Sequence, residues 1–493
     1  MTALAERVHS KPSINPWATF AVAAVAQFMV VLDASIMNVA LPSIQRSLNF
    51  SQSDLQWVIN IYVLMFGGFL LLGGRAGDLF GRRRMFIGGL IFFSLASFLG
   101  GLAQTAGWLV VARGIQGLGG AVISPVSLAI VSSTFSEGAE RNRAVGIFGS
   151  LAGAGGAAGV LLGGILTTDF GWQWVLFVNV PIGLMAAAAA LRFIPSDRGQ
   201  TQEGGFDLLG AATITAGLVS LVYGVVKAPQ DGWGSAATVG FLSAAAVLIA
   251  AFIVIELRSS SPLVRLGIFR IRNLAVADVA GMLGGAGMFA MFYFLSLYMQ
   301  IVLRYSALQT GIRYLPLAIT IMISAGITSQ LVTRFGYKYV MAIGQGLAGV
   351  GMLLLTRIVV NGDFQHDVLI PMLVIAFGLG MTFVPLQIAS VTGVKRDEIG
   401  LASGLVNAFL QIGGAIGLAV LATISTTEFN GVIATSPHTA LAYPTALVAG
   451  FQHAFLGGAI LLGAGALLVL LLMPQGGHDT EESEETEAVP TFA

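Results

Sequence analysis

Two ionisable side chains stand inside long apolar runs: Asp33 in VVLDASIMNVALP, residues 30–42, and Arg113 in LVVARGIQGLGGA, residues 109–121. Gln116 follows the arginine by one helical turn. A charge in hydrocarbon costs roughly 2.5–3.5 kcal/mol on insertion scales, so each is expected to be paired or to line a polar path. A carboxylate beside a guanidinium can exchange a proton, because desolvation and the positive neighbour act on it in opposite senses. At about 1.5 Å per residue, Arg113 lies about 8 Å below the end of its run at Trp108, and Asp33 about 12 Å below Leu41. The two meet if their segments are neighbours. Pro42 is expected to end the first segment, and Asn38 to line a cavity.

A second group lies in GGRAGDLFGRRRMF, residues 73–86, where Gly74, Gly77 and Gly81 accompany Asp78, Arg82, Arg83 and Arg84. The arginines alone would serve as topological anchors. Asp78 adds a group able to pair with a neighbouring helix end or an arginine. Formed in one conformation and broken in another, such a pair is a latch on a gate. SQLVTRFGYKY, residues 329–339, echoes this stretch, with Gly336 in the place of Gly81 and Lys338 in that of Arg83.

The elements that must hold these residues are membrane helices. Of the 493 residues, 56% are hydrophobic and 10% charged, and the mean hydropathy is +0.86. Since about 20 apolar residues cross a bilayer, fourteen segments read as spans: 17–41, 54–74, 85–105, 108–132, 143–167, 172–193, 207–226, 236–256, 274–302, 309–332, 339–359, 367–391, 401–426 and 449–473. The fifth is so rich in glycine that it could pass for a loop, and the seventh ends in the polar KAPQDGWGS. Of the 24 basic residues, eighteen fall on the side of the termini and five on the other, while Arg113 lies within a span. The positive-inside rule therefore puts both termini in the cytoplasm.

This layout gives a short N-terminal segment 1–16, a six-helix bundle 17–193, two inserted helices with linkers 194–273, a second six-helix bundle 274–473, and an acidic tail 474–493 read as disordered. The first segment is too polar for a signal-peptide core, so the first span is expected to be retained.

In the fifth span, GSLAGAGGAAGVLLGGIL (149–166) sets Gly153, Gly159, Gly163 and Gly164 where neighbouring helices can approach closely. Tyr62, Tyr293, Phe294 and Tyr298 are candidates for a cavity lining, as is Gln116; aromatics of this kind also pack against lipid or other helices. Asp278 is read as interfacial or structural, about 7 Å into the ninth span and within reach of water by snorkelling. His453 is read as interfacial.

Several function classes drop out. There is no cysteine, hence no disulfide or thiolate site. No Gly-Lys pair occurs, which removes a Walker A loop and ATP hydrolysis. Net charge is zero and no basic block interleaves with aromatics, so no nucleic-acid surface is expected. A membrane-embedded enzyme would need paired acids, a histidine cluster or a nucleophile–base pair at one depth. Five scattered histidines and one deep acid do not supply it, and neither metal nor organic cofactor is expected.

These motifs resemble those of the major facilitator superfamily, specifically its fourteen-span drug:proton antiporters. GRAGDLFGRRR is similar to that superfamily's turn between spans 2 and 3, matching at Gly74, Gly77, Asp78, Gly81, Arg82 and Arg83. LVVARGIQGLGG resembles its span-4 motif at Leu109, Arg113, Gln116, Gly117 and Gly119, and the stretch around Asp33 its span-1 motif. WQWVLFVNVPIG, residues 172–183, looks like the end motif of span 6. The resemblance implies an all-α fold of two six-helix bundles plus two inserted helices, working by alternating access as a monomer in the inner cell membrane. It implies export of amphipathic drugs or antibiotics driven by the proton gradient, with Asp33 titrating and Arg113 modulating it.

The chain departs from the pattern at four places. Val160 replaces the proline of the span-5 motif, Gln173 replaces an arginine in span 6, and Leu410 stands where an arginine is common. Spans 10 to 14 hold no deep acid, so monovalent cations and neutral lipophiles are expected to be handled better than dications. A dedicated exporter of an endogenous antibiotic or siderophore would share every motif; a non-transporting sensor would not need the Asp33 and Arg113 pair.

Overall fold

A computed structural model describes residues 15–51, 54–135, 139–196, 207–260, 262–395, 398–435 and 442–474. The acidic tail and the first fourteen residues lie outside that range. Among the described residues there is no strand. Fourteen helical spans follow one another: α1 Pro16–Leu48, α2 Trp57–Phe80, α3 Arg82–Gly101, α4 Ala106–Thr134, α5 Ala139–Asp169, α6 Trp174–Phe193, α7 Leu208–Asp231, α8 Ala236–Arg258, α9 Arg272–Val302, α10 Ala307–Phe335, α11 Tyr337–Leu355, α12 Phe364–Val391, α13 Ile399–Thr435 and α14 Ala442–Leu472. Thirteen meet the length and apolarity needed to cross a membrane among the described residues; α5, continuous for 31 residues, is the remaining one. The glycine-rich fifth segment is thus helix, not loop.

Local chemistry sets the helix starts. Asn15 caps α1 by accepting the Trp17 N–H at 2.9 Å, with Pro16 in the first turn, where its missing donor costs nothing. Thr105, Asp207 and Ser235 cap α4, α7 and α8 in the same way. α1 ends at Asn49 in the left-handed conformation, φ 53°. Pro42, expected to terminate α1, lies inside it. In an apolar setting a frayed backbone costs more than one lost hydrogen bond, so the helix continues past the proline. Side chains serve the carbonyls around it: Arg46 Nε donates to the Pro42 oxygen at 3.2 Å and Gln300 Nε2 to that of Val39 at 2.9 Å. The seventh span also runs further than expected, through Lys227 to Asp231.

The described residues form two compact units, one reaching to Val264 and including Leu295–Ala318, the other comprising Arg265–Phe294 and the chain from Ile319 onward. In the first unit, glycines set the helix spacing. A Cβ on Gly159 would lie 2.8 Å from the Leu32 carbonyl oxygen, and one on Gly163 2.9 Å from that of Ile36. These residues let α5 lie directly on α1. Gly164 does the same against Ala307 at the start of α10, and Gly311 answers against the Val160 carbonyl. Gly153 lies outside the residues whose packing is described.

The inserted pair α7 and α8 packs on this unit through α2. Thr215 fills the space left by Gly68, Tyr223 sits 6.0 Å from the Trp57 ring, and Lys227 Nζ pairs with Asp54 at 2.8 Å. α8 leaves an apolar face exposed, including Val247 and Leu257.

The repeat read from the sequence is visible in the backbone. Gly81 joins α2 to α3 at φ 94°, ψ 127°, and Gly336 joins α10 to α11 at φ 78°, ψ 157°. Each is a single-residue reversal in a region closed to L side chains. Gly81→Ala and Gly336→Ala are each expected to destabilise the protein by about 1–3 kcal/mol, read as earlier thermal unfolding in detergent. Gly88→Ala, where an added Cβ meets nothing within 4 Å, is the neutral control.

Candidate functional site

The first unit brings Asp33, Arg113 and Gln116 together. Arg113 Nη1 lies 2.6 Å from Asp33 Oδ2 and donates to Gln116 Oε1 at 2.6 Å, while Gln116 Nε2 donates to Asp33 Oδ1 at 2.8 Å. The three close a ring of hydrogen bonds between α1 and α4. Two residues not singled out from the sequence complete it. Asn179 on α6 donates from Nδ2 to Asp33 Oδ1 at 2.7 Å, and Ser97 on α3 accepts from both Gln116, at 2.7 Å, and Asn179, at 3.1 Å. The carboxylate thus accepts from three donors. Every one of these side chains is at most 1% exposed.

Arg113 is held from a fourth direction by α2. Its Nε donates to the Val58 carbonyl at 3.1 Å, and its Cζ sits 4.2 Å from the centre of the Tyr62 ring. This approach depends on Gly117, where a Cβ would stand 2.5 Å from the Tyr62 carbonyl oxygen. The glycines after Arg113 in the sequence are therefore what lets α2 present a carbonyl and a ring face to the guanidinium. The ion pair is dry and multiply bonded, the only condition under which burial of two charges is tolerable. Two buried acceptors in the cluster, Tyr62 Oη and Asn179 Oδ1, have no partner.

The residues of the short turn form a separate surface group. Asp78 pairs with Arg82 at 3.1 Å, four positions on, with the arginine 32% and the aspartate 48% exposed. The links to other helices come from the arginines: Arg82 Nη1 to the Ala129 carbonyl of α4 at 3.4 Å, and Arg83 Nη2 to the Leu191 carbonyl of α6 at 2.5 Å. Gly77 packs on Val126 and Gly74 on Pro125, fitting the turn to α4.

The candidate cavity residues divide between the units. In the first, Asn38 donates to the Ala34 carbonyl of its own helix at 3.2 Å, and Tyr298 is fully buried. In the second, Tyr293 and Phe294 are buried in an aromatic group in which Phe294 lies 5.7 Å from Phe451 and 6.2 Å from Phe455. Asp278, read as interfacial or structural, is 1% exposed, and neither of its carboxylate oxygens has a hydrogen-bond partner among the described residues. Among the described residues no group of three histidine, aspartate or glutamate side chains is placed to hold a metal ion.

Removing one side of a buried ion pair strands the other at a cost of about 3–5 kcal/mol. Arg113→Met is expected to lower stability by that order, and Asp33→Asn on the same background to recover most of the loss. A double-mutant cycle on thermal unfolding in detergent reads it, and additive effects would mean the pair is not coupled.

A model described as Major Facilitator Superfamily matches residues 23–418. The puromycin resistance protein pur8 of Streptomyces alboniger is 36% identical over 480 residues, covering 96% of this chain and 94% of that one. The cephamycin export protein CmcT of Amycolatopsis lactamdurans is 36% identical over 456 residues, covering 91% of each. The multidrug resistance protein Stp of Mycobacterium tuberculosis is 34% identical over 417 residues, covering 85% and 77%. Among solved structures, the POT family transporter PepTSo superposes with a TM-score of 0.67 at 15% identity, over 92% of this chain and 98% of that one. The inward-open xylose transporter XylE of E. coli does so with 0.62 at 16%, over 96% and 99%. With a family match across most of its length, relatives sharing a third of its residues and this helical architecture, the chain belongs to the major facilitator superfamily.

Proposed function

We propose that the protein exports amphipathic drugs or antibiotics across the cytoplasmic membrane in exchange for protons, by alternating access, as a monomer with both termini in the cytoplasm. The observation that carries this reading is the buried cluster around Asp33, whose carboxylate ties α1 to α4 and α6, with α3 joined to it through Ser97. A proton on Asp33 cancels the charge that holds α1 to Arg113. The arginine keeps Gln116, the Val58 carbonyl and the Tyr62 ring as neutral partners when its counter-ion is neutralised. Protonation therefore weakens the tie of α1 to Arg113 while leaving α2 and α4 joined, the asymmetry a conformational step needs. Substrate and proton loss reverse it.

The excess of basic residues on the terminal side supports the orientation, and the names of the relatives support the substrate class. Two of those relatives are named for single antibiotics, so a dedicated exporter of an endogenous antibiotic is the second reading. A susceptibility panel in an efflux-deficient host separates the two, one compound protected against several. Monovalent and neutral lipophilic drugs are expected to lose more potency than dications.

The coupling is tested in everted membrane vesicles carrying a fluorescent reporter of the pH gradient. Adding drug is expected to collapse part of the gradient with the wild type and to leave it intact with Asp33→Asn. Proton movement that persists in Asp33→Asn would remove Asp33 from the coupling step.

A further inference from the structure

Asp33 and Asp278 are buried to the same degree and satisfied in opposite ways. Asp33 accepts from Arg113, Gln116 and Asn179; Asp278 has no partner on either oxygen. Asp278 lies six residues, about 9 Å, beyond the start of α9 at Arg272. Gly281, one turn further along the same face of α9, lies against aliphatic side chains, and a Cβ there would stand 3.5 Å from Leu386 and 3.6 Å from Val406.

The titratable groups on the elements packed against this part of α9 are few. On α11 they are Tyr337, Lys338 and Tyr339 at its first turn; α12, α13 and α14 carry theirs (His366, Asp367, Glu428, Tyr443, His453) toward the opposite ends. At these helix ends also lie Arg272 on α9 itself, Arg265 and Arg270 just before it, Arg334 in the last turn of α10, and Lys395 and Glu398 between α12 and α13, of which Glu398 pairs with Arg265 at 3.2 Å. None of them pairs with Asp278. An unpaired carboxylate ion in such surroundings is far costlier than the neutral acid, so the residue holds its proton here.

Even the neutral acid has no hydrogen bond, so Asp278 gives nothing to the stability of this conformation. Its value must lie in another arrangement of the same helices, and the packing of α9 allows one. α9 meets α13 along a seam of glycines: the missing Cβ of Gly413 leaves room for the Met282 carbonyl, that of Gly285 for the Leu410 carbonyl, and that of Gly417 for Ala286. A contact made by backbone instead of interlocked side chains slides at low cost.

We propose that Asp278 is a second proton-carrying carboxylate, holding its proton in this conformation and releasing it to water when a shift along the α9–α13 seam admits solvent. The O–H bond breaks, water takes the proton, and the carboxylate regains one when the seam closes. The site takes a proton and no metal. This rests on the export reading above and adds a proton to the one at Asp33.

The test is the balance point of transport in liposomes holding purified full-length protein, with ethidium as substrate and the membrane potential clamped at zero. Each coupled proton multiplies the sustainable substrate gradient by about tenfold per pH unit. A tenfold ethidium gradient is thus expected to be balanced by about half a pH unit in the wild type and by about one full unit in Asp278→Asn. An active Asp278→Asn variant with an unmoved balance point overturns the proposal.

Should that variant fail to insert or to transport, dicyclohexylcarbodiimide on the wild type decides, since the acid O–H adds across its C=N bond and the adduct rearranges to a stable N-acylurea. Mass spectrometry is expected to find Asp278 modified and Asp33, held in its ion pair, unmodified. An unmodified Asp278 overturns the proposal. A wild type that moves no protons with drug overturns the export reading instead, whereas failure of the Asp278 assignment alone leaves wild-type proton movement intact.

Discussion

The buried pair of Asp33 and Arg113 constrains the rest of the first unit. Two charges removed from water are tolerable only when nearly every donor and acceptor around them is used. That requirement recruits Gln116 from the same helix as the arginine, Ser97 from α3, Asn179 from α6 and a backbone carbonyl from α2. Helices must then approach closely enough for short side chains to bridge them. The glycines of α4 and α5 supply that spacing, with Gly117 against the Tyr62 carbonyl and Gly159 and Gly163 against the backbone of α1 on its other face. Glycine content and buried charge are therefore one design, since each would be costly without the other.

What could be read in advance follows from how loudly each residue contradicts its surroundings. A carboxylate or guanidinium in hydrocarbon stands out, so Asp33, Arg113 and Gln116 were visible as a chemical group. Ser97 and Asn179 were not: serine is ordinary in membrane helices, and one asparagine at the start of NVPIG has no partner until α6 is placed beside α1 and α3. The turn at Gly81 and its echo at Gly336 were legible because a one-residue reversal demands glycine whatever the tertiary context. Pro42 misled because a rule for helix ends in water was applied to a segment whose backbone has no water to turn to. For Asp278 the sequence leaves interfacial and buried placements open. Its distance along the helix was sound, but snorkelling depends on which way the side chain faces, and nothing in the sequence gives that.

The turn groups make a related point about magnitude. Asp78 and Arg82, conspicuous as a charge cluster, form an exposed pair of the kind that contributes about 0.2–1 kcal/mol in solution. The same arginines tie α3 to carbonyls of α4 and α6, and that of Leu191 lies in the last turn of α6, a favourable place for a cation. The geometry of these links thus fixes how α3 sits on its neighbours more than it adds to stability.

The two units thus repeat a backbone device and diverge in their chemistry. Gly81 and Gly336 place equivalent turns, yet the first unit surrounds its acid with donors while the second leaves its acid among aliphatic side chains. The same backbone reversal therefore serves a site built from polar side chains in one unit and an apolar contact of helices in the other, so the repeat constrains where the helices turn and not what they carry.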